Sequence, residues 1–86
     1  MTTYSLASDV HDIYVDGERA AVYLGDTVLV LGPLASALVQ WLRDGTNELS
    51  TLTGLAIATF GPPLDADAGV IVANNLEDLR ESGVVI

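Results

Sequence analysis

His11 is the only histidine in the chain, and Asp65-x-Asp67 is its nearest approach to a metal-ligand spacing. Catalysis ordinarily needs a base beside a nucleophile, a ligand cluster or a glycine loop that cradles phosphate, and none of these patterns occurs. His11 falls in a strand pattern opposite Val22, where a structural hydrogen bond is the ordinary role of a histidine. Asp65 and Asp67 stand just ahead of a helical pattern. A carboxylate there accepts from free backbone N–H groups and meets the positive end of the helix dipole. With no cysteine in the chain, thiolate nucleophiles, thiolate metal sites and disulfides are excluded. The expectation is a protein that is not an enzyme, with no catalytic residue, cofactor or metal.

Residues 27–31, Thr-Val-Leu-Val-Leu, offer a different chemistry, the main-chain donors and acceptors of a strand edge. Native edges are commonly blunted by charge, proline or a bulge, and this segment contains no Pro, Lys or Glu. Such an edge reads as an aggregation risk or as a docking site for a peptide strand, unless another element or a second copy of the chain covers it. Tyr14 and Tyr23, with Val28 and Val30, form an apolar strip that also needs a cover. The N-terminal segment around Tyr4 and Leu6 is one candidate for it, and a partner is the other.

Two turns position these groups. Asp16-Gly17 and Gly25-Asp26 divide residues 10–31 into three strands, since glycine reaches positive φ cheaply and primed turns match strand twist. The expected register pairs Val15 with Glu18, Ile13 with Ala20 and His11 with Val22, then Leu24 with Thr27, Val22 with Leu29 and Ala20 with Leu31. Alternation puts Ile13, Val15, Ala20, Val22, Leu24, Leu29 and Leu31 on one face as core, with Tyr14, Arg19, Ala21, Tyr23, Val28 and Val30 on the reverse.

After Gly32-Pro33 the apolar period becomes helical. Leu34, Leu38, Trp41 and Leu42 predict a helix over 33–43 with proline in its first turn and Trp41 at the core or its rim. Thr46 or Asn47 is the expected cap of a second helix to about 60, with Leu49, Leu52, Ala56 and Phe60 as its stripe. Gly61-Pro62-Pro63 ends it. Asp65 or Asp67 caps a third helix to about 82, burying Ala68, Val72, Leu76 and Leu79, with Gly83 as its stop. The apolar tail Val84-Val85-Ile86 packs back on the helices. The result is a single domain over 1–86 of α+β class, a winged-helix-like arrangement of a three-stranded antiparallel meander followed by three helices.

At this size folding buries about 60 % of the unfolded chain's surface, so the core is thin and a large substrate cavity is not expected. Twelve acidic residues against three basic give a formal charge of −9. That field repels the phosphate backbone that nucleic-acid binders neutralise with clustered Lys and Arg. No basic-then-apolar secretion signal begins the chain, and no run approaches the roughly 18 apolar residues of a membrane span. A soluble, cytoplasmic protein that contacts neither nucleic acid nor membrane is the expectation.

The order of these features resembles the PqqD-like family of precursor-peptide recognition domains. The matching residues are Val15-Asp16-Gly17-Glu18 in the first hairpin and Leu31-Gly32-Pro33 followed by Ala35, Leu38 and Leu42. Asp44-Gly45-Thr46 before Leu49 and Leu52, and the closing Leu76, Leu79, Gly83 and Val84, complete the match. The family often carries an aromatic in the third strand and an asparagine where Gly32 stands, whereas this chain has valines and glycine.

The resemblance implies that a leader peptide adds as an antiparallel strand to the third strand, beside the third helix. Val28, Leu29, Val30 and Leu31 would form the strand side, and Ile71, Asn75 and Asp78 one flank of the helix. Asn75 occupies a position where an apolar residue is expected, so its amide needs a hydrogen-bond partner, either the peptide backbone or a group of the domain. The implied partner beyond the leader is a separate maturation enzyme, a leader protease in a lasso-peptide pathway or a radical enzyme as in pyrroloquinoline quinone synthesis. Two alternatives come from other classes. A winged-helix DNA-binding regulator would insert its third helix in the major groove, but residues 68–82 hold only Arg80 as a base among Glu77, Asp78 and Glu81. An interaction subunit would use its edge strand to form a homodimer.

Overall fold

The computed structural model describes residues 2–86; Met1, first residue of the expected domain, lies outside the described residues. Three strands, β1 (Val10–Asp16), β2 (Arg19–Leu24) and β3 (Thr27–Leu31), pair antiparallel in the order β1-β2-β3. Three helices follow, α1 (Pro33–Arg43), α2 (Leu49–Phe60) and α3 (Ala68–Glu81). This is the expected α+β, winged-helix-like topology.

Glycine decides where both hairpins turn. Gly17 (φ +63°) and Gly25 (φ +54°) each stand first in a two-residue loop, closed by the pairs Asp16↔Arg19 and Leu24↔Thr27. No other residue of either loop has positive φ, the pattern of a type II′ turn. The second hairpin keeps the expected register. In the first, an Asp16-Gly17 loop would force the aspartate into left-handed backbone, so the loop advances to Gly17-Glu18. Pairing therefore runs Val15↔Ala20 and Ile13↔Val22, instead of Val15 with Glu18 and Ile13 with Ala20. The slip on the partner strand is even, so each side chain keeps its expected face. A bulge between Val10 and Asp12 leaves His11 without a cross-strand partner and exposed, not opposite Val22.

The core lies between the helices and one sheet face. Val22, Leu38, Leu52, Leu76 and Val84 are fully buried, and Ile13, Leu24, Leu29, Leu31 and Trp41 pack half-buried around them. Val15, expected in the core, is 37 % exposed. The reason is placement, because α1 packs on β2 and β3 and the far end of β1 runs past it. Phe60 is likewise exposed at the end of the α2 stripe. Ser36 fixes the strand-to-helix exit. Its Oγ donates to the Leu31 carbonyl at 3.1 Å and its N–H to that of Gly32 at 2.9 Å.

The helix starts use two different devices. Asp67 caps α3, its Oδ1 accepting from Gly69 N at 2.8 Å and from Val70 N at 3.4 Å. At α2 the cap position is Glu48, not Thr46 or Asn47, and no side chain caps it. The N-terminal segment supplies the missing acceptor, since Leu49 N donates to the Thr2 carbonyl at 3.0 Å while Tyr4 N donates to that of Asn47 at 2.9 Å. The same segment then binds the tail. Ala7 N donates to the Val84 carbonyl at 2.8 Å and Ile86 N to that of Ser5 at 2.9 Å, so Val84 and Val85 are buried as expected, whereas the side chain of Ile86 stays exposed. The segment around Tyr4 and Leu6 therefore covers the helical side and leaves the reverse sheet face open.

Candidate functional site

The two edges of the sheet differ in what they present. A two-residue loop closes on a hydrogen-bonded pair, and bonded pairs alternate with non-bonded ones along an antiparallel ladder. In the β2–β3 hairpin the bonded pairs are Leu24↔Thr27, Val22↔Leu29 and Ala20↔Leu31. The N–H and C=O groups of Val28 and Val30 therefore point away from the sheet. No other part of the chain, among the described residues, bonds to them.

By the same alternation β1 turns the groups of Ile13 and Val15 outward, and that edge is blunted. Asp12 Oδ1 already accepts from Ile13 N at 2.8 Å. The His11 bulge kinks the strand, and the exposed carboxylates of Asp12 and Asp16 flank it. These are the devices by which native sheets discourage pairing. β3 has none of them.

Two depressions link the two ends of β3 to the two ends of α3, and together they define a trough. The first, of about 430 Å³, is lined by Pro33 and Leu34 just after β3, by Ile71 and Val72 of α3, and by Phe60, Pro62 and Pro63. The second, of about 410 Å³, joins Leu24, Gly25 and Thr27 at the start of β3 to Ser82 and Gly83 beyond α3, with Asp9 at its rim. The strand and the helix thus run in opposite directions. Ile71, Asn75, Asp78 and Ser82 are spaced i, i+4, i+7 and i+11, one stripe along α3 whose two ends line the two depressions. Eleven residues of helix and five of strand both span about 17 Å, enough for a five-residue extended segment.

Each expected site residue can be placed on this frame. Val28 and Val30 present main chain to the edge and exposed side chains to the reverse face, whereas Leu29 and Leu31 turn half-buried side chains toward the helices. Ile71 lines the apolar depression. Asn75 is half-buried, and its Nδ2 donates to the Ile71 carbonyl at 3.0 Å, a bond within the helix. No buried side-chain polar atom lacks a partner among the described residues, so the Asn75 carbonyl oxygen is not left both buried and unpaired. Asp78 is exposed and lines neither depression; Asp9 alone gives the second an acidic rim.

Sequence reasoning missed the residues that build the apolar depression from outside the strand and helix, namely Pro33, Leu34, Phe60, Pro62 and Pro63. Their signal was present as an apolar helix end followed by two prolines, which places hydrophobic rings where no helix continues to cover them.

One cluster of titratable groups ties the N-terminal segment to α3. Tyr4 is buried, its hydroxyl donates to Glu77 Oε2 at 3.1 Å, and Arg80 binds the same carboxylate at 2.8 Å while stacking 5.0 Å from the Tyr4 ring centroid. Burial, then the hydrogen bond to Glu77 and its negative charge, push the Tyr4 phenol above its ordinary pKa, opposed by the Arg80 charge. Among the described residues no group of three or more His, Asp or Glu side chains is placed to hold a metal. Among them no helix is long and apolar enough to cross a membrane. No family model matches the chain, and no curated protein matches it.

Proposed function

We propose that this chain is a non-catalytic recognition protein that binds the leader segment of a ribosomally made precursor peptide by strand addition to β3. It holds the precursor for a separate maturation enzyme, a leader protease of a lasso-peptide pathway in preference to a radical enzyme, in the cytoplasm where such peptides are made. The observation that carries this reading is the contrast between the edges. β1 is closed by a bulge, carboxylates and its own Asp12, while β3 turns two residues of unclaimed main chain toward a trough of matching length. The resemblance of the hairpin, helix and tail residues to PqqD-like domains supports the same assignment.

The trough also has a chemical polarity. Its Leu34 and Ile71 end favours an apolar side chain of the leader, and its Asp9 end favours a cationic one. Main-chain bonds supply affinity in this mode and the side-chain pockets supply specificity. Capture then raises the local concentration of the core segment at the enzyme by about 10² or more, which needs no catalytic residue here. Docking on DNA through α3 is disfavoured because Arg80, its one base, is already engaged by Glu77 and Tyr4.

The test is titration of fluorescent leader peptides from ribosomally made precursors of the source cell, with hydrogen exchange of the complex read residue by residue. Saturable binding that slows exchange at the Val28 and Val30 amides is the expected result. Absence of binding, or binding that protects neither amide, overturns the proposal, as does a β3-paired homodimer in sedimentation that the leader cannot dissociate.

A further inference from the structure

The sheet face away from the helices carries a notch created by register. Tyr14↔Ala21↔Val30 form one row across the three strands, so a single methyl lies between a phenol ring and an isopropyl group. Both walls stand in water, Tyr14 at 63 % and Val30 at 68 % exposure. The depression between them is about 220 Å³ and is lined also by Asp16 and Arg19. In the next row Tyr23 stands on the middle strand between Asp12 and Val28, on the same face. Ligand pockets for small molecules run from about 300 to 1,000 Å³. This notch is smaller and suits one inserted side chain.

Its surroundings specify the neighbours of that side chain. Asp16 lines the notch, Asp12 lies on the same strand and Glu18 in the adjoining turn, against the single cation Arg19. None of these four groups forms an ion pair among the described residues, so three carboxylates remain unneutralised. An apolar centre with aromatic and arginine side chains, rimmed by charge, has the composition of a protein interface.

We infer that the reverse face is a docking surface for a protein segment presenting one branched aliphatic or aromatic side chain flanked by lysine or arginine. A second copy of the chain is a poor occupant, since it brings the same carboxylates and another −9 of charge. Anionic membranes and nucleic acids meet the same repulsion. The inference does not rest on strand addition, because it uses side chains of the face where the β3 edge uses main chain.

The experiment is a titration of ¹⁵N-labelled protein with the synthetic pentapeptide acetyl-Arg-Gly-Leu-Gly-Arg-amide, followed by amide chemical shifts. Saturable shifts at Tyr14 and Ala21 with Kd of about 1 mM are expected for a single anchored side chain. Affinity falls about fivefold on raising salt from roughly 0.05 to 0.5 M as the charge contacts are screened. Replacing the peptide's leucine by glycine abolishes the shifts, and so does A21L, which fills the notch. Y14S, which removes one wall, serves if A21L fails to fold. The inference is overturned by absence of saturable shifts, or by shifts confined to Leu34 and Ile71 of the trough. Undiminished binding to folded A21L and Y14S also overturns it, as does sedimentation of the wild type as a dimer that A21L dissolves.

Discussion

Proline at position 30 separates the role of the β3 edge in binding from its role in folding. The Val30 N–H lies outside the β2–β3 ladder, so Val30→Pro leaves the bonded pairs Val22↔Leu29 and Ala20↔Leu31 intact. Against a bound strand, however, it removes one donor and leaves the peptide carbonyl opposite it unmatched. An unsatisfied group of that kind costs about 1–3 kcal/mol, a loss of leader affinity of about 5- to 150-fold. Two companion variants fix the interpretation. Leu29→Pro removes a donor to Val22 within the sheet and lowers the stability of the fold itself by about 1–3 kcal/mol. Val15→Pro makes the same chemical change as Val30→Pro on the outward side of β1 and leaves affinity unchanged, because that edge is blunted. Fluorescence anisotropy measures binding and urea unfolding measures stability for all three. If folded Val30→Pro binds the leader as the wild type does, or if Val15→Pro weakens binding equally, the leader does not pair with β3.

Other outcomes follow from the helices and the N-terminal clasp. Asp67→Ala deletes both cap bonds at α3 and lowers stability by about 1 kcal/mol, which thermal unfolding reads as a fall in Tm of about 4–8 °C. Gly54→Ala stabilises the fold by about 0.5–1 kcal/mol in the same assay, because an added Cβ meets nothing within 4 Å and removes chain entropy from the middle of α2. Tyr4→Phe loses the bond to Glu77 and costs about 1 kcal/mol at pH 8, the partly exposed carboxylate limiting the effect. The pH dependence of Tyr4 has a definite sign. Its folded-state pKa is raised above the ordinary 10.0, so above that pH the unfolded chain loses a proton that the native state retains. The stabilisation is complete below pH 10 and is lost as pH rises through the folded value. Urea unfolding between pH 8 and 11 therefore shows a steeper decline for the wild type than for Tyr4→Phe.

Elements governed by local rules were legible in the sequence. The α1 bounds, the Asp67 cap and the second hairpin each follow from a turn residue beside a clear apolar period. The first hairpin misled because Asp-Gly is itself a favourable turn pair. The competing Gly17-Glu18 loop differs only in requiring left-handed backbone of glycine alone. The α2 start misled for another reason. Its missing acceptor is the Thr2 carbonyl, more than forty residues away, and main-chain groups carry no sequence signal. In the candidate site, the strand residues were legible because an uncharged edge is visible as composition. The flank of α3 was not legible, and the stripe proposed is the one whose ends, Ile71 and Ser82, line the two depressions. Asn75 left two partners open in the sequence, the peptide or the domain, and its Nδ2 bonds its own helix.

The two proposed surfaces share Val30, and that sharing makes them energetically coupled. A strand added to β3 continues the pleat, so its alternate side chains fall beside those of Val28 and Val30 on the reverse face. Val30 is one wall of the notch, and a bulky leader residue next to it extends that wall and buries part of its 68 % exposed surface. The leader and the notch-binding segment then contact one another, and linkage requires each to change the other's affinity by the same factor. With a branched or aromatic leader residue at that position, burial of about 50 Å² of apolar surface contributes about 1 kcal/mol, a four- to tenfold mutual enhancement. Glycine at the same leader position removes it. Titrating the arginine-flanked pentapeptide into free protein, into the leader complex and into the complex with the glycine-substituted leader measures the factor directly. Equal affinities in all three would mean that the two surfaces act independently and that the face is not completed by the bound strand.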